Sequence, residues 1–251
     1  MKGDEELEEG PLSIRRMLDD GSEEGGEVGE LLGIAAHDLR SPLANIRSYA
    51  GMILSGRGAP LEPRVERAAR VIVKNADRGL RQVDDLLDLI RSQSGQLSLE
   101  EETFSLEALI RDGIRRAEPL AAENDVKLQW EADGAELLLT GDEEMLGRAF
   151  AALVEAAIRR SPAGGEVPIE AEVRPTHIVV TARDAGGTPD AEELEEAFDW
   201  LYQVVTNNRL VAGLSLGLCS AVVEAHGGTV GVDPADGGAR WFISLPRSSG
   251  A

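Results

Sequence analysis

Ala36-His37-Asp38-Leu39-Arg40-Ser41-Pro42-Leu43 sets one imidazole beside a carboxylate, with an arginine, a hydroxyl and a proline in the next five positions. Around it, Leu32, Ala36, Leu39, Leu43, Ile46, Ala50 and Ile53 step by four and three residues, a heptad seam sustained over three heptads. The spacing predicts one long amphipathic helix, with Pro42 removing a backbone hydrogen bond and bending it below the histidine. His37 follows seam residue Ala36, at the edge of the apolar stripe and reachable from outside. An imidazole there can accept a phosphoryl group, act as a general base, or be a polar residue on a wet face.

Gly56 to Pro63 ends this helix and opens another, with Pro63 suited to a first turn. Val65, Ala69, Ile72, Ala76, Leu80, Val83, Leu87 and Ile90 continue the pattern, with a stutter at Ile72-Ala76-Leu80. Two helices of about 30 residues, each about 45 Å long, joined by a short loop make an antiparallel hairpin. A lone hairpin leaves much of each stripe wet, so a dimeric four-helix bundle and a homodimer are expected.

The remainder alternates shorter elements. Helices are expected over Phe104 to Asn124 (N-cap Ser105), Glu144 to Arg160, Asp190 to Tyr202 and Leu214 to Ala225, with Val204 to Ala212 irregular. Strands are expected over Val126 to Trp130, Glu136 to Thr140, Glu166 to Val173, His177 to Ala182, Thr229 to Asp233 and Arg240 to Leu245. This order fits a mixed sheet under one helical layer, an α+β sandwich. Three segments result: an acidic tail over 1–29, the hairpin over 30–96 and the sandwich over 103–248.

Composition bounds the partners. The 251 residues are 42% hydrophobic but 4% aromatic, which implies an aliphatic core, and the formal net charge is −21. Such a chain repels phosphate backbones and anionic membranes, so neither nucleic acid nor membrane is an expected partner. Residues 1–30 carry eleven acidic side chains against Lys2, Arg15 and Arg16, and only Pro11 to Leu18 offers a short helix. Cys219 is the single cysteine, which excludes an intramolecular disulfide and multi-cysteine zinc sites and reads as a buried thiol. No run approaches the roughly 18 apolar residues of a membrane span, and the acidic start is unlike a signal peptide, so a cytoplasmic protein is expected.

His37-Asp38-Leu39-Arg40-Ser41-Pro42-Leu43 resembles the phosphoacceptor box of the two-component sensor histidine kinases, His-(Glu/Asp)-x-Arg-(Thr/Ser/Asn)-Pro-Leu. The resemblance runs over residues 30–247 in the family's order: the hairpin's end near Leu86 to Gly95, the acidic turn Gly141-Asp142, Asp184-Ala185-Gly186-Gly187 for the first glycine box, and Gly213 to Gly228 for the second with the Glu-x-His-Gly-Gly after it. It implies a Bergerat-type ATP-binding sandwich, ATP and Mg2+ as cofactors, His37 as phosphoacceptor with Asp38 as general base and Arg40 beside it, and a response regulator receiver domain as partner. It also implies that Asp184 accepts a hydrogen bond from the adenine amino group, while Gly186, Gly187, Gly213, Gly217 and Leu218 line the nucleotide site.

The chain departs from that pattern at several positions. Two family asparagines, one a magnesium ligand, fall on Ala152 and Ala156. Alanine ligates nothing, and neighbouring Glu155 lies about 100° around the helix, so the metal ligands are left open. Arg159 stands at the family's lysine and is a candidate phosphate contact. Thr188 and Ser215 replace glycines, and a side chain at Ser215 narrows the approach of backbone amides to phosphates. Phe198 and Tyr202 resemble the phenylalanine box, followed by a short lid. Ser41 offers a hydroxyl of short reach for dephosphorylation. Two readings follow: an autophosphorylating histidine kinase with a divergent ATP site, or a phosphotransfer or scaffold protein that no longer binds ATP. A third, an ATPase without phosphotransfer, makes His37 incidental.

Overall fold

The structure, a computed structural model, describes residues 23–56, 61–130, 137–190, 197–198 and 210–247. The chain divides into two compact units, Met1–Gln96 and Leu97–Ala251.

In the first unit, helix α1 (Glu23–Ser55) contains Pro42 and helix α2 (Pro63–Gln93) starts with proline in its first turn. The heptad seam divides between two faces. Ala36 and Ala50 are buried and Leu43 lies against Gly79 of α2, where an added Cβ would sit 3.2 Å from its Cδ1. On α2, Ala69, Ala76 and Val83 are buried. Small residues at these positions let the two backbones approach. Leu39, Ile46 and Ile53, one heptad apart, stay exposed, as do Val65 and Ile72. Arg40 and Arg47 of α1 pair with Asp84 and Asp77 of α2. The expected helix over Pro11 to Leu18, and the loop around Gly58, lie outside the described residues.

The second unit orders β1 (Glu102–Ser105), α3 (Leu106–Glu123), β2 (Lys127–Trp130), β3 (Leu138–Gly141), α4 (Glu143–Arg160), β4 (Glu166–Val173), β5 (His177–Arg183), α5 (Leu210–Ala225), β6 (Thr229–Ala235) and β7 (Gly238–Pro246). Strands β2-β4-β5-β7-β6 form one mixed sheet, in which β2 and β4 are parallel and the other pairs antiparallel. Strands β1 and β3 pair separately, antiparallel. Helix α4 carries the largest share of the core, with Phe150, Leu153, Val154, Ala157 and Ile158 buried, as are Val167, Ile178, Val180 and Ile243 of the sheet. Gly113 lets α3 close on it: a Cβ there would lie 2.2 Å from the Phe150 ring.

Two expectations are corrected. Phe104 and Ser105 belong to a strand, because Phe104 is buried within the β1–β3 pair and the helix begins only at Leu106. Ser105 holds the N-cap position without a side-chain capping bond. Helix α5 begins at Leu210, four residues earlier than expected, so Leu210 to Ala212 are helical. The expected helix over Asp190 to Tyr202 falls largely outside the described residues, which show a turn at Ala197-Phe198.

A polar corner ties α4 to α5. Asp142 caps α4 by accepting from Met145 N at 2.9 Å through Oδ1, and takes Glu100 N at 3.0 Å through Oδ2. Its own amide donates to His226 Nε2 at 2.9 Å, and His226 Nδ1 contacts the Val222 carbonyl at 2.7 Å. A Cβ at Gly141 would meet the His226 ring at 2.6 Å. Gly227, at φ +69°, closes α5, with Gly228 N donating to Val223 O.

Candidate functional site

His37 and Asp38 stand on the exposed side of α1, their side chains 81% and 79% accessible. Asp38 Oδ1 lies 3.7 Å from His37 Nδ1, beyond hydrogen-bond length. The carboxylate thus lies on the Nδ1 side of the ring. Arg40, expected beside the reacting group, pairs with Asp84 of α2.

In the second unit, the carboxylate of Asp184 closes β5 with no side-chain exposure. Oδ1 accepts from Gly186 N at 2.9 Å and Ala239 N at 3.3 Å. Oδ2 accepts from Trp241 Nε1 at 2.8 Å and from Arg160 Nε at 3.2 Å. Arg160 also donates through Nη2 to the Gly187 carbonyl at 2.9 Å. Trp241 in turn meets Phe198 edge-on, ring centroids 6.1 Å apart. The end of α4 and the 184–187 turn are pressed together because residue 186 is glycine: a Cβ there would lie 2.0 Å from the Arg160 carbonyl oxygen. Gly187, at φ +88°, requires a glycine for its backbone.

Other expected site residues are placed differently. Glu155 and Arg159 pair with each other at 3.0 Å along α4, so each meets an opposite charge of its own helix. Ala152 and Ala156 are buried. No group of three or more His, Cys, Asp or Glu residues converges among the described residues, so these positions do not fit a protein-held magnesium. Gly213, Gly217 and Leu218 lie inside α5, and Leu218 is buried in the core. The amide of Gly217, seven residues into the helix, falls past the four open amides of a helix start. Tyr202 lies outside the described residues. Arg160 and Trp241, which the sequence reading passed over, are Asp184's side-chain donors. The available signal was the second arginine of Arg159-Arg160.

Two family models match the chain: the His Kinase A (phospho-acceptor) domain over residues 27–95, and the histidine kinase-, DNA gyrase B-, and HSP90-like ATPase over residues 141–249. The chain belongs to the two-component sensor histidine kinases. Among curated histidine kinases and sensor proteins, it is 28% identical to the sensor histidine kinase CusS of Escherichia coli O157:H7, over 96% of this chain and 50% of that one. It is 24% identical to the sensor protein KdpD of Clostridium acetobutylicum, over 86% of this chain and 24% of that one. The chain therefore spans half or less of the length of these relatives. The fold matches a solved histidine kinase, full-length ShkA in complex with AMPPNP, with a TM-score of 0.68 at 22% identity, covering 88% of this chain and 47% of that one. It also matches Acinetobacter baumannii histidine kinase AdeS, with a TM-score of 0.56 at 20% identity, over 85% of this chain and 98% of that one. No helix among the described residues is long and apolar enough to cross a membrane.

Proposed function

We propose that the chain is an ATP-dependent protein histidine kinase that phosphorylates itself on His37 and passes the phosphoryl group to an aspartate of a response regulator receiver domain. The observation that carries the reading is His37, exposed on α1 with Asp38 facing Nδ1. The Nε2 lone pair attacks the γ-phosphorus of ATP, the bond to the β–γ bridging oxygen breaks, and ADP leaves with its electron pair. The Nδ1 proton passes toward Asp38, which keeps the phosphorylated ring from carrying an added charge. The receiver's carboxylate then takes the phosphoryl group and regenerates His37.

Asp184 is the base reader in this proposal, and ATP enters with Mg2+ to which residues 152 and 156 supply no ligand. The exposed stripe of Leu39, Ile46, Ile53, Val65 and Ile72 supports a homodimer through a four-helix bundle. A cytoplasmic location fits the chain's acidity. Ala152 and Ala156 favour the competing reading, a phosphotransfer protein without ATP binding.

Labelling with [γ-32P]ATP and magnesium tests the proposal. Acid-labile phosphate should accumulate on the wild-type protein, vanish in His37→Ala, and fall in Asp38→Asn by about 10²-fold or more. Labelling that survives His37→Ala would sink it. Phosphate arriving on His37 only from a phosphorylated receiver domain would favour the competitor.

A further inference from the structure

Asp184 already has its ligand from within the chain. A carboxylate offers about four lone-pair directions, and Asp184 accepts from four N–H groups: Gly186 N, Ala239 N, Trp241 Nε1 and Arg160 Nε. Two of these donors are backbone amides, fixed by the 184–187 turn and by the β5–β7 pairing. The third belongs to Trp241, which is buried and backed by Phe198. Only the Arg160 guanidinium sits on a long rotatable side chain with a path to water, at 24% exposure. It forks between Asp184 and the Gly187 carbonyl, and its N–H stands where an exocyclic amino group of a base would have to donate.

We propose that Arg160 is a specificity-determining residue of the nucleotide site, an internal surrogate for the adenine amino group that the base must displace to reach Asp184. The inference rests on Asp184 as base reader. It follows that adenine pays for its recognition by breaking the Arg160–Asp184 pair. A 6-oxo purine has no amino group to place on Asp184; its carbonyl accepts from the guanidinium instead and leaves the pair intact. Arg160 therefore lowers affinity for ATP selectively and erodes the preference for adenine over hypoxanthine. The sequence neighbour Arg159 has no such effect, since it is held by Glu155 one turn away.

The test is calorimetric binding of ATP and of inosine triphosphate to the full chain, in wild type, Arg160→Met and Arg160→Lys. A charge-assisted hydrogen bond in competition corresponds to about a tenfold or greater change in affinity. Arg160→Met should tighten ATP by about that factor while inosine triphosphate is unchanged or weakened. Arg160→Lys, which keeps the charge beside Asp184 but not the fork, should raise the ATP-to-inosine-triphosphate ratio less, and it carries the test if the methionine variant does not fold. Equal changes for both nucleotides, weaker ATP binding in the variants, or no binding of ATP to any of the three proteins would overturn the proposal. Labelling of His37 separates the two claims. Phosphorylation with no Arg160 effect leaves the kinase reading standing alone, and a selective gain in ATP affinity without phosphorylation leaves this inference standing alone.

Discussion

At Gly186 a single missing methyl group decides the geometry around Asp184, the proposed base reader. The Arg160 carbonyl occupies the space a Cβ would need, and being backbone it cannot swing aside. Gly186→Ala should therefore separate the 184–187 turn from the end of α4, at a cost of about 1–3 kcal/mol of stability by overpacking, read as a lower urea midpoint at unchanged slope. The same variant should weaken the Arg160–Asp184 contact, which puts a structural glycine inside the proposed nucleotide site. Read as sequence, Gly186 marked a glycine box and Asp184 a base reader. What could not be read is the contact between Asp184 and Arg160, 24 residues apart, because it exists only once α4 and β5 are docked. For the same reason Arg159, whose partner lies one helical turn away, was the more visible of the two arginines and the less consequential.

Among the elements, the α1–α2 hairpin was the most legible, since a seven-residue repeat needs only local sequence to be seen. The repeat did not reveal that its two registers lie on two faces, one buried and one exposed. Ala36, Leu43 and Ala50 face α2, while Leu39, Ile46 and Ile53 face away. Alanine on the inner register and larger side chains on the outer one are consistent with close packing inside the hairpin and a bulkier seam between hairpins. Ile46→Glu should accordingly convert the proposed dimer to monomer, measured by sedimentation, with little loss of hairpin helix at high protein concentration. An unchanged dimer would move the interface elsewhere. Strand β1 was missed for the opposite reason. Glu102-Thr103-Phe104-Ser105 buries one large side chain, and its strand character comes from pairing with β3 more than thirty residues later.

For the whole molecule, two cores imply two unfolding events. All three tryptophans, Trp130, Trp200 and Trp241, belong to the second unit, so their fluorescence reports on it alone while far-UV circular dichroism weighs the long hairpin helices as well. The two signals should melt at different temperatures, with only the hairpin transition moving with protein concentration. Acid should act on the second unit through Asp112. Burial raises the pKa of this carboxyl, but hydrogen bonds from Arg116 and Arg115 outweigh it and hold the group below its ordinary value of 3.8. A depressed folded value means that its stabilisation is complete above the unfolded pKa and is lost as pH falls through the folded one. The tryptophan-detected midpoint should therefore drop below pH 4 in wild type and drop less in Asp112→Asn, which starts lower at neutral pH.

The corner where His226 meets Asp142 has one more consequence. A backbone amide can only donate, so Nε2 of His226 must accept, and the ring's single proton resides on Nδ1 against the Val222 carbonyl. The ring is half-buried, and its Nδ1 bond lies within α5, so it is the Nε2 bond that depends on the start of α4 staying beside the end of α5. Parting the two helices would release Nε2 and leave Nδ1 bonded, so the ring-carbon resonances of His226 should follow the opening of this corner.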